Sequence, residues 1–167
     1  KDRGFQLGIL EFYIIEGTEL AQLTSRKDID IKEVDESNIE DYLNIYYSFA
    51  LPYGKPFAIE SVNNARQTIL QKKDSKKRLV AYVDNEPVGT VDVIITDETI
   101  EIDSFGVIEQ FQRQGIGSTI QAYIGNLANE RPVILVADGE DTAKDMYTKQ
   151  GYMYQSFVYH IVKEEVN

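Results

Sequence analysis

The residues best suited by type and spacing to do chemistry lie in Gln112-Arg113-Gln114-Gly115-Ile116-Gly117-Ser118. Glycine has no Cβ to block close approach, and free backbone N–H groups at a helix start converge on anionic oxygens with the helix dipole behind them. A loop of this kind cradles a pyrophosphate. A glycine pair also serves simply to turn a strand tightly into a helix, so the flanking elements matter. Thr99 to Ile108 alternates as a strand does. Ile116, Ile120, Tyr123, Ile124, Leu127 and Ala128 recur at helical spacing, with Gln121, Asn126 and Asn129 on the other side. The order is strand, phosphate loop, helix. Two nucleotide motifs do not fit it. Gly117-Ser118-Thr119 lacks the lysine of a Walker loop. A dinucleotide fingerprint needs a third glycine opening a βαβ crossover, whereas this loop follows an antiparallel meander.

The loop resembles the acetyl-CoA motif of the GNAT superfamily of N-acetyltransferases, Gln/Arg-x-x-Gly-x-Gly/Ala, with Gln112, Gly115 and Gly117 at its fixed positions. The resemblance implies acetyl-CoA as cofactor and CoA as product. It implies that the backbone of Arg113, Gln114, Gly115, Ile116, Gly117 and Ser118 holds the pyrophosphate, while Phe105, Gly106 and Val107 of the preceding strand meet the pantetheine arm. A second stretch, Ala143-Lys144-Asp145-Met146-Tyr147-Thr148-Lys149-Gln150-Gly151-Tyr152, is similar to the family's Ala-x-x-Leu-Tyr-x-Lys-x-Gly-Phe. Tyr147 thereby inherits the role of general acid toward the departing thiolate, which suits a phenol of pKa near 10. The alternative for Tyr147 is packing of an amphipathic helix on the sheet. Gly151 reads as that helix's C-cap. One position departs from the family. Where many members carry asparagine seven residues before the tyrosine, this chain has Glu140, within Asp138-Gly139-Glu140-Asp141. These carboxylates cap the next helix or face an acceptor.

Acyl transfer to an amine requires a neutral amine, an aligned carbonyl and a place for the thiolate's charge. Glu101 and Asp103, on one face of the strand before the loop, are the candidate bases. Glu101 sits where some histone-type members keep a catalytic glutamate. Asp92 on the neighbouring strand is a third. Each of these is equally read as a solvated or salt-bridged carboxylate, and many members need no dedicated base. The resemblance places the acceptor under the first two helices, where Tyr46, Tyr47, Phe49, Tyr53 and Phe57 either clamp an amine beside Glu40 and Asp41 or form core. The implied activity is transfer of acetyl from acetyl-CoA to a primary amine of a small molecule or protein, by direct attack in a ternary complex. The rival is a non-catalytic acetyl-CoA/CoA-binding or scaffold module of a tandem GNAT protein. The acyl length and the acceptor stay open.

The positioning elements follow from pattern. Ile29 to Val34 alternates as a strand. Ser37 with Glu40 forms a capping box for a helix whose buried stripe is Ile39, Tyr42, Leu43, Tyr46 and Phe49. The Pro52 to Pro56 region breaks it, and a second helix buries Ile59, Val62, Ala65, Ile69 and Leu70. Arg78 to Val83, the turn Asp84-Asn85-Glu86-Pro87 and Val88 to Thr96 make a hairpin. Pro132 to Ala137 is a buried-type strand, and the Tyr147 helix leads to a last strand, Met153 to Lys163. This βααβββαβαβ order matches the resembled family over roughly residues 27 to 163. It predicts an α/β chain of the α+β type, with a mixed, mostly antiparallel central sheet splayed at the cofactor site and helices on both faces.

Residues 1 to 26 stand outside that order. At a constant offset Arg3 to Glu16 aligns with Gln150 to Lys163, glycine on glycine, with Leu10, Phe12, Ile14 and Ile15 on Phe157, Tyr159, Ile161 and Val162. This segment reads as an ordinary extra strand or as the tail of an upstream GNAT-like domain, with Gly17 to Arg26 as linker. A start at Lys1 without methionine fits the second reading. Burying Phe5, Leu10, Phe12 and Ile14 predicts pairing on a sheet edge, of this copy or another, and hence a homodimer or contact with the upstream domain.

Composition sets the outer bounds. In 167 residues there is room for one domain with a substantial core, and a net charge of −11 disfavours nucleic acid or an anionic membrane surface as partner. It favours a cationic acceptor. With no cysteine and a single histidine, thiolate chemistry and multi-histidine metal sites are excluded. His160 reads as a surface or structural residue. No apolar run suggests a membrane span or signal peptide, which points to the cytoplasm.

Overall fold

The computed structural model describes residues 5–138 and 143–163. In chain order its elements are β1 (Phe5–Glu16), α1 (Gly17–Leu20), β2 (Ile29–Glu33), α2 (Ile39–Ala50), α3 (Lys55–Leu70), β3 (Lys77–Val83), β4 (Glu86–Ile95), β5 (Ile100–Val107), α4 (Ile116–Ala128), β6 (Pro132–Asp138), α5 (Ala143–Lys149) and β7 (Met153–Lys163). From β2 onward this is the βααβββαβαβ order expected from the sequence. The strands form one sheet, β2-β3-β4-β5-β6-β1-β7. Every neighbouring pair is antiparallel except β5 with β6. The chain is therefore of the α+β type, as its pattern indicates.

Alternation along the strands sorts side chains into two cores. On one face Leu79, Ala81, Val91, Val93, Ile100 and Ile102 meet Leu20 of α1 and Ile116, Ile120 and Ile124 of α4. On the other Val80 and Tyr82 meet Ile39, Tyr42, Leu43 and Ile45 of α2, with Val62, Ala65 and Ile69 of α3 alongside. The β3–β4 hairpin turns at Asp84 and Asn85, both in the left-handed region at φ 49° and 65°, the geometry of a tight two-residue turn.

The parallel β5–β6 ladder is short. It runs through Ile100↔Val133, Glu101↔Ile134 and Ile102↔Leu135 and then stops, although the strands continue to Val107 and Asp138. At the same level β5 bulges against β4, where Asp92 faces Ser104 and Val93 faces Ile102, so Asp103 has no partner across the ladder. A bulge adds one residue, bends the strand and increases its twist. It thus opens β5 away from β6.

Several sequence expectations need correction. β1 does not sit on an edge. It lies between β6 and β7, paired from Leu10↔Asp138 to Glu16↔Pro132 on one side and from Phe5↔Lys163 to Ile14↔Met153 on the other. The two segments similar in sequence are thus antiparallel neighbours, and the edge falls to β7, which leaves Phe157, Tyr159 and Ile161 exposed. An interior position satisfies both rows of β1 backbone groups, which an edge cannot.

Nor is Gly17 to Arg26 a free linker. Leu20 is fully buried, and a Cβ on Gly125 would collide with the Ala21 backbone, so α1 and α4 touch main chain to helix. The capping box is absent too. Ser37 donates to Asp35, Asn38 holds the turn by accepting from the Asp35 amide, and Glu40 pairs instead with Arg66. In α3, Ala58 is buried and Val62, Ala65 and Ile69 pack on the core, while Ile59 and Leu70, each one residue beyond that stripe, are exposed.

Candidate active site

The loop before α4 follows from local chemistry. A short 3-10 turn, Glu109–Phe111, ends β5, and the Gln112 amide folds back to donate from Nε2 to the Val107 carbonyl at 3.0 Å. Arg113 takes φ 57° and Gly115 φ 82°, and Gly115 is the residue that caps α4. The Gly115 carbonyl accepts from the Thr119 amide at 3.1 Å and from the hydroxyls of Ser118 and Thr119 at 3.1 and 2.8 Å. In contrast, the amides from Arg113 to Ser118 have no acceptor among the described residues. A run of N–H groups without protein acceptors at a helix start can donate to an anion. Space is left for one. A Cβ on Gly117 would meet only the Phe105 ring, at 3.4 Å. The donor set fits a pyrophosphate, and Arg113, exposed and without an ion-pair partner among the described residues, adds positive charge beside it.

The remaining predicted cofactor contacts lie on β5 just before the loop. Phe105 packs on the α4 side, whereas Gly106 lies so close to α2 that a Cβ there would come within 2.5 Å of the Phe49 ring. Phe105, Gly106 and Val107 all fall in the part of β5 that β6 no longer covers. Their backbone therefore has no strand partner in β6, although the Val107 carbonyl is already taken by Gln112.

Tyr147 on α5 is half-buried, its ring 6.2 Å from Tyr13 and 5.9 Å from Tyr152. The Tyr152 hydroxyl is buried with no hydrogen-bond partner, and burial raises its pKa above the ordinary tyrosine range. Tyr13, from β1, donates to Glu11 at 2.6 Å, and burial and that carboxylate push it up to about 12. Gly151, at φ 100°, ends the helix with the Tyr152 amide donating to the Tyr147 carbonyl at 3.0 Å, a Schellman closure. Gln121 of α4 donates to Gln150 at 3.0 Å, tying α5 to the cofactor helix. Glu140 and Asp141 lie outside the described residues.

The three carboxylates have different surroundings. Glu101 is half-buried, and its carboxylate makes no hydrogen bond among the described residues. Asp103, at the bulge, is held by Lys76 at 2.6 Å. Asp92 is buried and accepts the Tyr42 hydroxyl at 2.9–3.0 Å, with Arg78 Nε 3.5 Å away. Burial pushes the Asp92 carboxyl up to about 6 despite that guanidinium. Arg78 compensates it weakly because its two terminal nitrogens are committed to Asp74 at 3.0 and 2.6 Å.

Asp92, Asp103, Asp74, Lys76, Arg78 and Tyr42 line one cavity of about 370 Å³ under α2 and α3. Tyr46 also lines it and stacks on Tyr42 at 6.0 Å. Of the other predicted acceptor-side residues, Tyr53 and Phe57 form an exposed edge-to-face pair away from it. Asp41 accepts from Tyr82, and Glu40 is held by Arg66. The Tyr42–Asp92–Arg78–Asp74 chain was missed as a unit by sequence reasoning. Its members come from α2, β4, β3 and the loop before β3, and no local spacing links them.

Comparison with known proteins agrees with this architecture. The chain is similar, at 56% identity and TM-score 0.90, to a functionally unknown conserved protein from Staphylococcus epidermidis ATCC 12228, over 98% of this chain and 64% of that one. It thus spans about 64% of the length of that relative. A GCN5-related N-acetyltransferase from Sphaerobacter thermophilus shares the fold at TM-score 0.63 and 19% identity, over 96% of this chain and 53% of that one. So does AAC(6')-Iy, solved in complex with the bisubstrate analogue CoA-S-monomethyl-acetylneamine, at TM-score 0.57 and 13% identity, over 83% and 95%. No curated protein matches the chain. The sequence profile of the acetyltransferase (GNAT) family matches residues 39–152, more than half of the length, and the chain belongs to that family.

Proposed function

We propose that this protein is an N-acetyltransferase that moves an acetyl group from acetyl-CoA to a primary amine in a ternary complex. The observation that carries this reading is the run of unpaired amides from Arg113 to Ser118 at the start of α4, next to the stretch of β5 that β6 leaves uncovered. The amides hold the pyrophosphate, and the open backbone of Phe105 to Val107 aligns the pantetheine arm. Bound acetyl-CoA supplies the thioester as acyl donor. Strand N–H groups in the opening polarise its carbonyl, and fixed geometry removes the entropy cost of bringing amine and thioester together.

The chain's own residues handle the protons. An ammonium acceptor gives one proton to a carboxylate of the α2/α3 cavity before attack. Asp92 suits that role better than Glu101 or Asp103, since its carboxyl titrates at about 6 and Asp103 is bound to Lys76. The Tyr147 hydroxyl donates its proton to the departing thiolate. Thiol release measured over a panel of primary amines tests the assignment. Turnover with at least one amine, lost in Tyr147→Phe while acetyl-CoA affinity holds, is the expected result. Acetyl-CoA binding without turnover on any amine would contradict it.

The packing of Tyr147 between Tyr13 and Tyr152 supports a second reading, in which the tyrosine is structural and the domain binds acetyl-CoA without turning it over. Under that reading Tyr147→Phe changes stability and nothing else.

A further inference from the structure

The segment between β1 and β2 lies outside the residues that match the family, yet it follows the cofactor helix from one end to the other. At the C-terminal end of α4 the Gly17 amide donates to the Arg131 carbonyl at 3.1 Å, and a Cβ on Gly17 would come within 2.5 Å of the Asn129 carbonyl. At mid-helix Gly125 admits the Ala21 backbone. At the N-terminal end the Arg26 amide donates to Thr119 Oγ1 at 2.9 Å, and the Arg26 guanidinium donates from Nη1 to the Gln114 carbonyl at 2.9 Å. The rest of that guanidinium is fixed by Asp28, which takes Nε at 3.0 Å and Nη2 at 2.5 Å.

We propose that Arg26 is a positioning residue for the pyrophosphate loop, and that the strap from Gly17 to Asp28 is a working part of the acyl-CoA site. This rests on the acetyl-CoA reading of the loop. The peptide joining Gln114 to Gly115 is planar and trans, so its carbonyl and N–H point in opposite directions. By holding the Gln114 carbonyl, Arg26 aims the Gly115 N–H away from the strap and into the open side of the loop. Thr119 does the same one peptide later. Its hydroxyl accepts from the Arg26 amide and donates to the Gly115 carbonyl, which orients the Ile116 N–H at the start of α4. Without the strap the Gln114 carbonyl loses its side-chain donor, between Arg113 and Gly115, which both sit at positive φ, whereas the Gly115 carbonyl keeps its bonds from Ser118 and Thr119. Arg26 carries an additional consequence: its positive charge lies beside Gly115, in a chain whose net charge is −11.

The test compares wild type, Arg26→Met and Arg26→Lys for binding of acetyl-CoA and of S-acetylpantetheine, which keeps the thioester arm and lacks the pyrophosphate. Arg26→Met is expected to weaken acetyl-CoA about tenfold, the usual scale for one lost charge-assisted hydrogen bond. S-acetylpantetheine should be unaffected, and Arg26→Lys should restore part of the loss because an ammonium can reach the same carbonyl. Equal weakening of both ligands would make Arg26 a general support of the fold and overturn the inference, as would an unchanged acetyl-CoA affinity. If wild type itself fails to bind acetyl-CoA, the cofactor reading falls and this one with it. If wild type binds and Arg26→Met binds equally well, only this one falls.

Discussion

The two sides of β5 are built on opposite principles. Toward α4, backbone donors are left unpaired and held by side chains that grip only the carbonyls, from Gln112, Ser118, Thr119 and Arg26. Toward α2 and α3, the charges are paired, Asp74 with Arg78 and Asp103 with Lys76. In the proposed function an anion is held on one side by backbone N–H groups, which would let a strongly acidic protein bind a polyphosphate without a cluster of lysines. The other is complete except at Asp92, a buried carboxylate that takes the Tyr42 hydroxyl and has Arg78 Nε only at 3.5 Å. An amine entering there would find one group ready to take a proton.

Substitutions can break this contrast. The largest expected effect is Tyr147→Phe, which should lower kcat by about 100-fold or more, the scale of a lost general acid, with the Kd for acetyl-CoA unchanged. Next is Gly125→Ala. Alanine favours a helix by roughly 1 kcal/mol over glycine, yet the new Cβ meets the Ala21 main chain, which cannot move without lifting the strap. Overpacking of this kind costs about 1–3 kcal/mol, so a net loss of stability in chemical denaturation is expected together with weaker acetyl-CoA binding.

Asp92 gives the pH dependence. Its folded pKa of about 6 lies above the usual ~3.9 of an unfolded aspartate, so the folded state favours the protonated form. Its contribution is full below about pH 4 and is lost as pH rises through about 6, a change on the order of 2–3 kcal/mol. Asp92→Asn should remove that slope, and unfolding of the two proteins across pH 4 to 7 measures it. In the proposed reaction the same group makes kcat/KM rise through pH about 6, and the asparagine variant should lose that limb. The smallest effect belongs to the exposed Glu40–Arg66 pair. Arg66→Ala should leave Tm within about 1 °C of wild type, since exposed ion pairs contribute little.

What could be read from the sequence follows the same division. The turn from β5 into α4 is legible because a helix start in the left-handed region calls for glycine, and Gly115 takes that place within residues 112–118. Gly151 is legible for the same reason. The strand order from β2 to β7 follows from alternation and turn residues such as Asp84 and Asn85. The Asp92 network is not legible, because each of its partners is an ordinary residue of a different element and only the folded sheet brings them together. The strap also escapes notice. Gly17 to Arg26 has no strong periodicity, and its role depends on Gly125, more than a hundred residues away. The interior position of β1 is hidden likewise, since a strand's alternation is the same at an edge and between two neighbours.

The most direct test of the central claim is a thermal-shift titration with acetyl-CoA, CoA and ADP. At about 100-fold over Kd a ligand that binds only the folded state adds roughly 2.7 kcal/mol, a rise on the order of 5 to 10 °C for a chain of this size. The account predicts such a rise with acetyl-CoA and with CoA and none with ADP. No shift at saturating acetyl-CoA would contradict it, and would leave the amides from Arg113 to Ser118 without the ligand proposed for them.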